Sequence, residues 1–241
     1  MKKAIVSFSG GLDSTSLILH LLSKGYEVRT YSFDYGQTHD IELKLAAKNI
    51  SYLQSLNLPI THQIIDLKSV FNESNSCLCT HDEAPSGDYR DETMKVTVVE
   101  NRNIIFSSIM YSKALAWANK TEEEVTISLG VHAGDHAIYP DCTEESVNMS
   151  RELYRISNWG SERVIYDTPF VNLHKGQVLQ CGVEAMKQMK FTDEMINTVL
   201  SQTNSCYNNT NGVSCGTCGT CVERKEAFEF VGINDPIEYA E

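Results

Sequence analysis

Positive charge is what this chain has least of. It carries 20 Lys and Arg against 32 Asp and Glu, a formal net charge of −12 over 241 residues. A surface that acidic repels a phosphate backbone, so a nucleic-acid partner would require a local basic patch, and the sequence offers none. Long apolar runs are missing as well. No stretch approaches the ~20 apolar residues of a bilayer-spanning helix. The start, MKKAIVSFSG, reaches polar Ser7 after Ala4, Ile5 and Val6, too short a run for a signal-peptide core. Internal repeats and low-complexity tracts are absent too. These absences point to a cytoplasmic protein with a small-molecule substrate and no membrane partner. With 41% hydrophobic and 22% charged residues the composition is that of an ordinary globular chain, able to bury roughly 70–75% of its unfolded surface.

The most informative absence is in a loop. Residues 7–18 read SFSGGLDSTSLI, a glycine pair between an apolar strand-like run and a helix-like run. Such a loop suits a phosphate, yet it has no lysine. A Walker loop needs a lysine directly after its last glycine, and here the next one is Lys24. What remains are the backbone N–H groups of Ser9 to Asp13, the hydroxyls of Ser9, Ser14 and Thr15, and the positive end of a helix dipole. An isolated glycine pair would make a tight turn with Asp13 as helix cap; the position directly after the first strand favours the anion.

The hydrophobic pattern predicts strands over Lys3–Ser7, Glu27–Phe33, Ile60–Ile65 and Val125–Leu129, and helices over Asp13–Ser23, Ile41–Leu56 and Arg102–Trp117. Alternation of this kind predicts a parallel sheet flanked by helices, with ligands at the C-terminal strand ends. Between Lys68 and Lys95 the pattern stops, and Ser69 to Lys95 reads as a lid without fixed structure, closing over a reactive intermediate. From His174 onward the chain reads as helical, and after Ser201 it is rich in Cys, Gly and Asn.

Of 8 cysteines, Cys206, Cys215, Cys218 and Cys221 give C-x8-C-x2-C-x2-C. Four thiolates at this spacing close a tetrahedral coordination sphere, so we expect one structural zinc ion per chain. An iron–sulfur cluster would take the same ligands, but the short paired spacings fit zinc ribbons better. Cys77, Cys79 and His81 read as incidental loop residues, and Cys142 and Cys181 as packing residues. Reduced thiols fit a cytoplasmic chain.

FSGGLDST resembles the pyrophosphate loop of the N-type ATP pyrophosphatases, the superfamily of GMP synthetase, NAD synthetase, argininosuccinate synthetase and tRNA-thiolating enzymes. Together with FDYGQ at 33–37, RNIIF at 102–106, GVHAGDH at 130–136, YPDC at 139–142 and SCYN at 205–208, it is similar to the 7-cyano-7-deazaguanine synthase family over nearly the whole chain. The resemblance implies an α/β, adenine nucleotide alpha hydrolase-like (Rossmann-like) fold. It places the pyrophosphatase domain at 1–172 and a small helical, zinc-binding segment at 173–241. It implies a ligase that uses Mg²⁺-ATP to turn 7-carboxy-7-deazaguanine and ammonia into 7-cyano-7-deazaguanine, preQ0, through an acyl adenylate and an amide. Carried over to this sequence, ATP falls to Phe8, Ser9, Gly10, Gly11, Leu12, Asp13, Ser14, Thr15, Ser16, Leu17 and Ile18. Asp13, Ser14, Lys175 and Arg102 are the catalytic candidates. Asp34, Tyr35, Asn103, Asp135, His136, Tyr139 and Asp141 are the candidates for the deazaguanine. Relatives are commonly dimeric, and a C-terminal surface with Met186, Met189 and Met195 is the expected contact.

Two departures from the family pattern stand out. VVENRN replaces the usual Val-Pro-Gly-Arg-Asn turn before Arg102, and LHKGQ has Gln177 where Glu is usual. The competing readings are a tRNA-thiolating pyrophosphatase, which would use a cysteine such as Cys142, a related deazaguanine-transferring protein, and a non-catalytic zinc-ribbon module.

Overall fold

The computed structural model describes residues 1–240 except 38–40, 81, 83, 86–91 and 210–211, and omits the side chains of 92, 136 and 137. Among the described residues β1 (Lys2–Ser7), β2 (Tyr26–Asp34), β3 (Ile60–Asp66), β4 (Val125–Ser128) and β5 (Val164–Asp167) form one sheet in the order β3-β2-β1-β4-β5. Every pairing is parallel. The apolar run of β1 explains its central place: Ala4 and Val6 enter one hydrophobic cluster and Ile5 the other, as alternating side chains of a strand covered on both faces must.

One face is covered by α1 (Leu12–Ser23), α2 (Ile41–Ser55), α7 (Lys175–Gln188), α8 (Asp193–Ser201) and α9 (Gly219–Val231). The other carries α3 (Lys68–Phe71), α4 (Cys77–Thr80), α5 (Arg102–Thr121) and α6 (Glu144–Ser157). In α5 the buried positions Phe106, Met110, Ala114 and Ala118 recur every four residues, the stripe that seats a helix on a sheet. Residues 173–241 are built onto the same core as α1, with Val178, Leu179 and Phe228 in its cluster.

The structure departs from the sequence reading in several places. β5 and α6 fill a region with no predicted element, and α9 follows directly from the cysteine segment. The N-cap of α6 is Thr143, whose hydroxyl accepts from the Ser146 N–H. Met186 is fully buried in the α1–α7 core, not on a contact surface. Of the stretch expected to act as a lid, the described parts form α3, α4 and a 3-10 turn at Glu92–Thr97, held by buried Phe71, Cys77, Leu78 and Met94. His81 and the other undescribed positions of that stretch lie outside the described residues.

Candidate active site

The strand order reverses between β1 and β4, and their C-terminal ends open the crevice where doubly wound sheets bind ligands. Ser7 and Phe8, leaving β1, and Leu129 and Gly130, leaving β4, line one pocket there. The glycine loop spans the gap from β1 to α1. Gly10 has φ +84°, and a Cβ on it would lie 2.6 Å from the Glu42 carbonyl oxygen, so this position requires glycine. Ser9 Oγ accepts the Gly11 N–H at 3.1 Å and lies 3.1 Å from Ser14 Oγ. Gly11 caps α1 with no side chain, so the first-turn N–H groups are left to a ligand.

Asp13 sits in that first turn. Its Oδ2 lies 3.2 Å from Lys175 Nζ and 3.7 Å from His132 Nε2, while its Oδ1 is buried without a hydrogen-bond partner. Burial opposes charge on this carboxyl, but Lys175 and His132 outweigh it and hold it below the usual carboxylate range. Lys175 opens α7 and is buried; its Nζ also donates to Glu223 Oε2 on α9 at 2.9 Å. Desolvation works against its charge, and Asp13 and Glu223 together raise it above the ordinary lysine value. The ammonium is therefore a fixed positive charge at the mouth of the helix-capped loop.

The opposite wall is built by α5. Arg102 Nη1 donates to the Tyr35 hydroxyl at 3.2 Å. Asn103 Nδ2 reaches Cys142 Sγ at 3.4 Å. The Tyr139 hydroxyl lies 2.6 Å from Thr97 Oγ1 and 3.3 Å from the Tyr207 hydroxyl. Asp135 accepts the His132 backbone N–H at 3.1 Å, and burial raises its carboxyl. Burial also pushes the Cys142 thiol far up, with Asp135 and Asp141 adding to the effect.

Of the candidates read from the sequence, one pocket gathers Phe8, Ser9, Gly11, Leu12, Asp13 and Ser14 with Tyr35, Arg102, Asn103, Asp135, Tyr139 and Lys175. Others lie elsewhere. Thr15, Ser16, Leu17 and Ile18 are buried in the body of α1. Asp34 turns to Lys68, 2.8 Å away, and Asp141 approaches the Cys142 thiol at 3.8 Å. The side chain of His136 lies outside the described residues. The sequence reading missed Glu42, His132, Asn204, Tyr207 and Glu223. His132 and Tyr207 were inside quoted motifs; Glu223 gave no signal, because its value depends on α9 folding back over Lys175.

The four thiols of Cys206, Cys215, Cys218 and Cys221 have sulfur atoms within 4.8 Å of one another. Ideal tetrahedral zinc with ~2.3 Å bonds would set them about 3.8 Å apart. Backbone N–H groups of Asn208 and Cys215 donate to Cys206 Sγ at 3.3 and 3.2 Å, and that of Cys218 to Cys215 Sγ at 3.3 Å. Such bonds stabilise thiolate charge, so the donor set fits a metal ion such as zinc. With four protein ligands no position is left open for substrate.

The profile of the family described as "Queuosine biosynthesis protein QueC" matches residues 3–232. This chain belongs to that family. A 7-cyano-7-deazaguanine synthase of Caldicellulosiruptor bescii is 41% identical over 98% of this chain and 97% of its own. One of Marinomonas sp. is 37% identical over 99% and 98%. A solved structure titled as a predicted subunit of tRNA methyltransferase from Methanocaldococcus jannaschii overlaps at TM-score 0.45 and 17% identity, over 76% of this chain and 75% of that one, too distant to add to the fold above.

Against the family pattern, both departures have local explanations. Asn101 stands where the pattern has glycine and adopts φ 56°, the left-handed conformation that Asn tolerates best after Gly. This turn delivers Arg102 to the pocket. Gln177 accepts the His174 N–H at 3.0 Å through its Oε1, closing a capping box that Gln serves as well as Glu. The carboxylates facing Lys175 are those of Asp13 and Glu223.

Proposed function

We propose that this protein makes 7-cyano-7-deazaguanine from 7-carboxy-7-deazaguanine, ammonia and ATP, through an acyl adenylate and an amide. The observation that carries the reading is the lysine-free loop at the sheet's switch point with Lys175 delivered to it from α7, in a chain of this family. The loop's N–H groups and the Ser9 and Ser14 hydroxyls receive the β- and γ-phosphates. Lys175 meets the negative charge that grows on the departing pyrophosphate, the largest electrostatic demand of adenylation. Mg²⁺ arriving with ATP supplies further charge neutralisation, and Asp13, with Oδ1 unsatisfied, is the carboxylate placed to hold it. Arg102, Asn103, Asp135 and Tyr139 form the wall that receives the deazaguanine, where carboxylates accept its ring N–H groups. Each adenylation needs an oxygen held in line with the α-phosphate, so one site serves the acid and then the amide.

The thiolation reading is disfavoured by Cys142: its thiol is held protonated by burial and nearby carboxylates, whereas sulfur transfer needs a low-pKa thiolate. We assign residues 1–172 to the pyrophosphatase domain and 173–241 to a helical segment with a structural zinc at the four cysteines, a segment that also delivers Lys175 to the pocket. Among the described residues no helix is long and apolar enough to cross a membrane; we infer a cytoplasmic setting. We also infer a homodimer, for which the support is an exposed apolar stripe, Met149, Leu153 and Ile156 on α6 with Trp159 beyond it, Trp159 being 98% exposed. Incubation with 7-carboxy-7-deazaguanine, Mg²⁺-ATP and ammonium, followed by mass spectrometry and nucleotide chromatography, tests the function. We expect preQ0 with AMP; ADP as the main nucleotide product would overturn the reading.

A further inference from the structure

Glu42 stands in the first turn of α2, and its side chain lines the active-site pocket. Its Oε1 accepts from Asn204 Nδ2 at 3.3 Å, and Asn204 donates its own backbone N–H to the Gly10 carbonyl at 3.1 Å. The carboxyl is thereby tied beside the phosphate loop. Among the described residues, the charged and titratable groups facing it are the Arg102 guanidinium from α5 and the Tyr35 hydroxyl after β2, with Tyr139 and Tyr207 farther along the same pocket wall. Burial pushes this carboxyl up to about 7, against smaller opposing effects of the Asn204 hydrogen bond and the Arg102 charge.

A carboxylate serves a pyrophosphate only through a cation between them, and Asp13 already takes that place in the function proposed above, so phosphate chemistry leaves Glu42 without a role. The nitrogen chemistry gives it one. Ammonia enters with three N–H bonds and the nitrile nitrogen has none, so a base in the pocket is needed repeatedly.

We propose that Glu42 is the catalytic residue that accepts the protons shed by the substrate nitrogen, a role that rests on the function proposed above. In amide formation the N–C bond forms, the acyl C–O bond breaks with its electron pair leaving on AMP, and one N–H proton passes to the Glu42 carboxylate. In the second adenylation the amide oxygen bonds to the α-phosphorus, the bond from phosphorus to the bridging oxygen breaks with its electron pair leaving on pyrophosphate, and a second proton passes from nitrogen to Glu42. In the last step the C–O bond breaks, AMP leaves, the third N–H proton goes to Glu42 and the C≡N bond is complete. Between steps the acid returns its proton to water, which a group titrating near neutrality does readily.

Glu42→Gln tests this in the full-length protein, because the amide oxygen keeps the hydrogen bond from Asn204 and removes the base. Two partial reactions separate the roles. Acid-dependent exchange of labelled pyrophosphate into ATP, without ammonium, moves no N–H proton. Single-turnover amide and nitrile formation, with free ammonia held constant, moves all of them. We expect exchange within about threefold of the wild type, amide formation slower by roughly 10²–10³, and loss of the rise in rate with pH through about 7 that the wild-type carboxylate confers. Wild-type amide formation in the variant, a retained rise through that pH, or equal loss of both partial reactions would each overturn the proposal. Absence of exchange in the wild type would overturn the adenylation reading itself.

Discussion

Asp13 and Lys175 form a largely enclosed ion pair at the mouth of the glycine loop. A carboxyl held below its unfolded value of ~3.9 stabilises the fold above that pH and loses the contribution as pH falls through its folded value. A lysine held above ~10.4 stabilises below that pH and loses the contribution as pH rises. The pair therefore supports the fold across the whole neutral range. Asp13→Asn should reduce pyrophosphate release by at least about 10². Thermal melts at neutral and at acid pH should show a smaller acid-induced drop in the variant than in the wild type; an equal drop would mean the pair does not act as drawn. At this scale the sequence disclosed the groups on the loop itself, since Ser9, Gly11, Asp13 and Ser14 meet the pocket directly from one short segment. It did not disclose Glu42 or Glu223, whose meaning comes from partners distant in the chain: Asn204, 162 residues away, for Glu42, and Lys175, 48 residues away, for Glu223.

Among the elements, those with a strong period were legible. β1, β2, β3, β4, α1, α2 and α5 lie within a few residues of their predicted bounds, because apolar spacing and the adjacent turns agree. β5 is a four-residue edge strand, VIYD, too short to carry a pattern. In α6 the apolar side chains Met149, Leu153 and Ile156 face outward while Val147, Ser150 and Tyr154 face inward, so its period pointed at the wrong face. α9 was hidden by the cysteines that begin it. It is held by Arg224, fully buried, which donates to both oxygens of Asp235 at 2.7 and 2.9 Å and to Thr203 Oγ1 at 2.8 Å. The four-cysteine cluster therefore lies at the start of a helix whose middle is anchored in the core. Cys218→Ser should bring bound zinc well below one equivalent per chain by metal analysis and lower the melting temperature; full metal content at full stability would show that the thiols do not ligate.

At the level of the whole molecule, the α/β class followed from alternation, while the order β3-β2-β1-β4-β5 did not, because pairing across a crossover leaves no mark in local sequence. The exposed stripe of Met149, Leu153, Ile156 and Trp159 is the surface on which we expect a second copy. Light scattering should give about twice the chain mass of 27.0 kDa, and Leu153→Asp with Trp159→Asp should return it to the single-chain value. A wild-type mass near 27.0 kDa would remove the dimer.

The contact between Asn204 and Gly10 also fixes a sequence of events during synthesis. Lys175, Asn204 and Glu223 are made at least 162 residues after Asp13, and α1 must wait for α7 to cover it. A nascent chain therefore carries its glycine loop unfinished until those later segments have emerged, and a chain cut short before them is left with a loop that Lys175 never reaches.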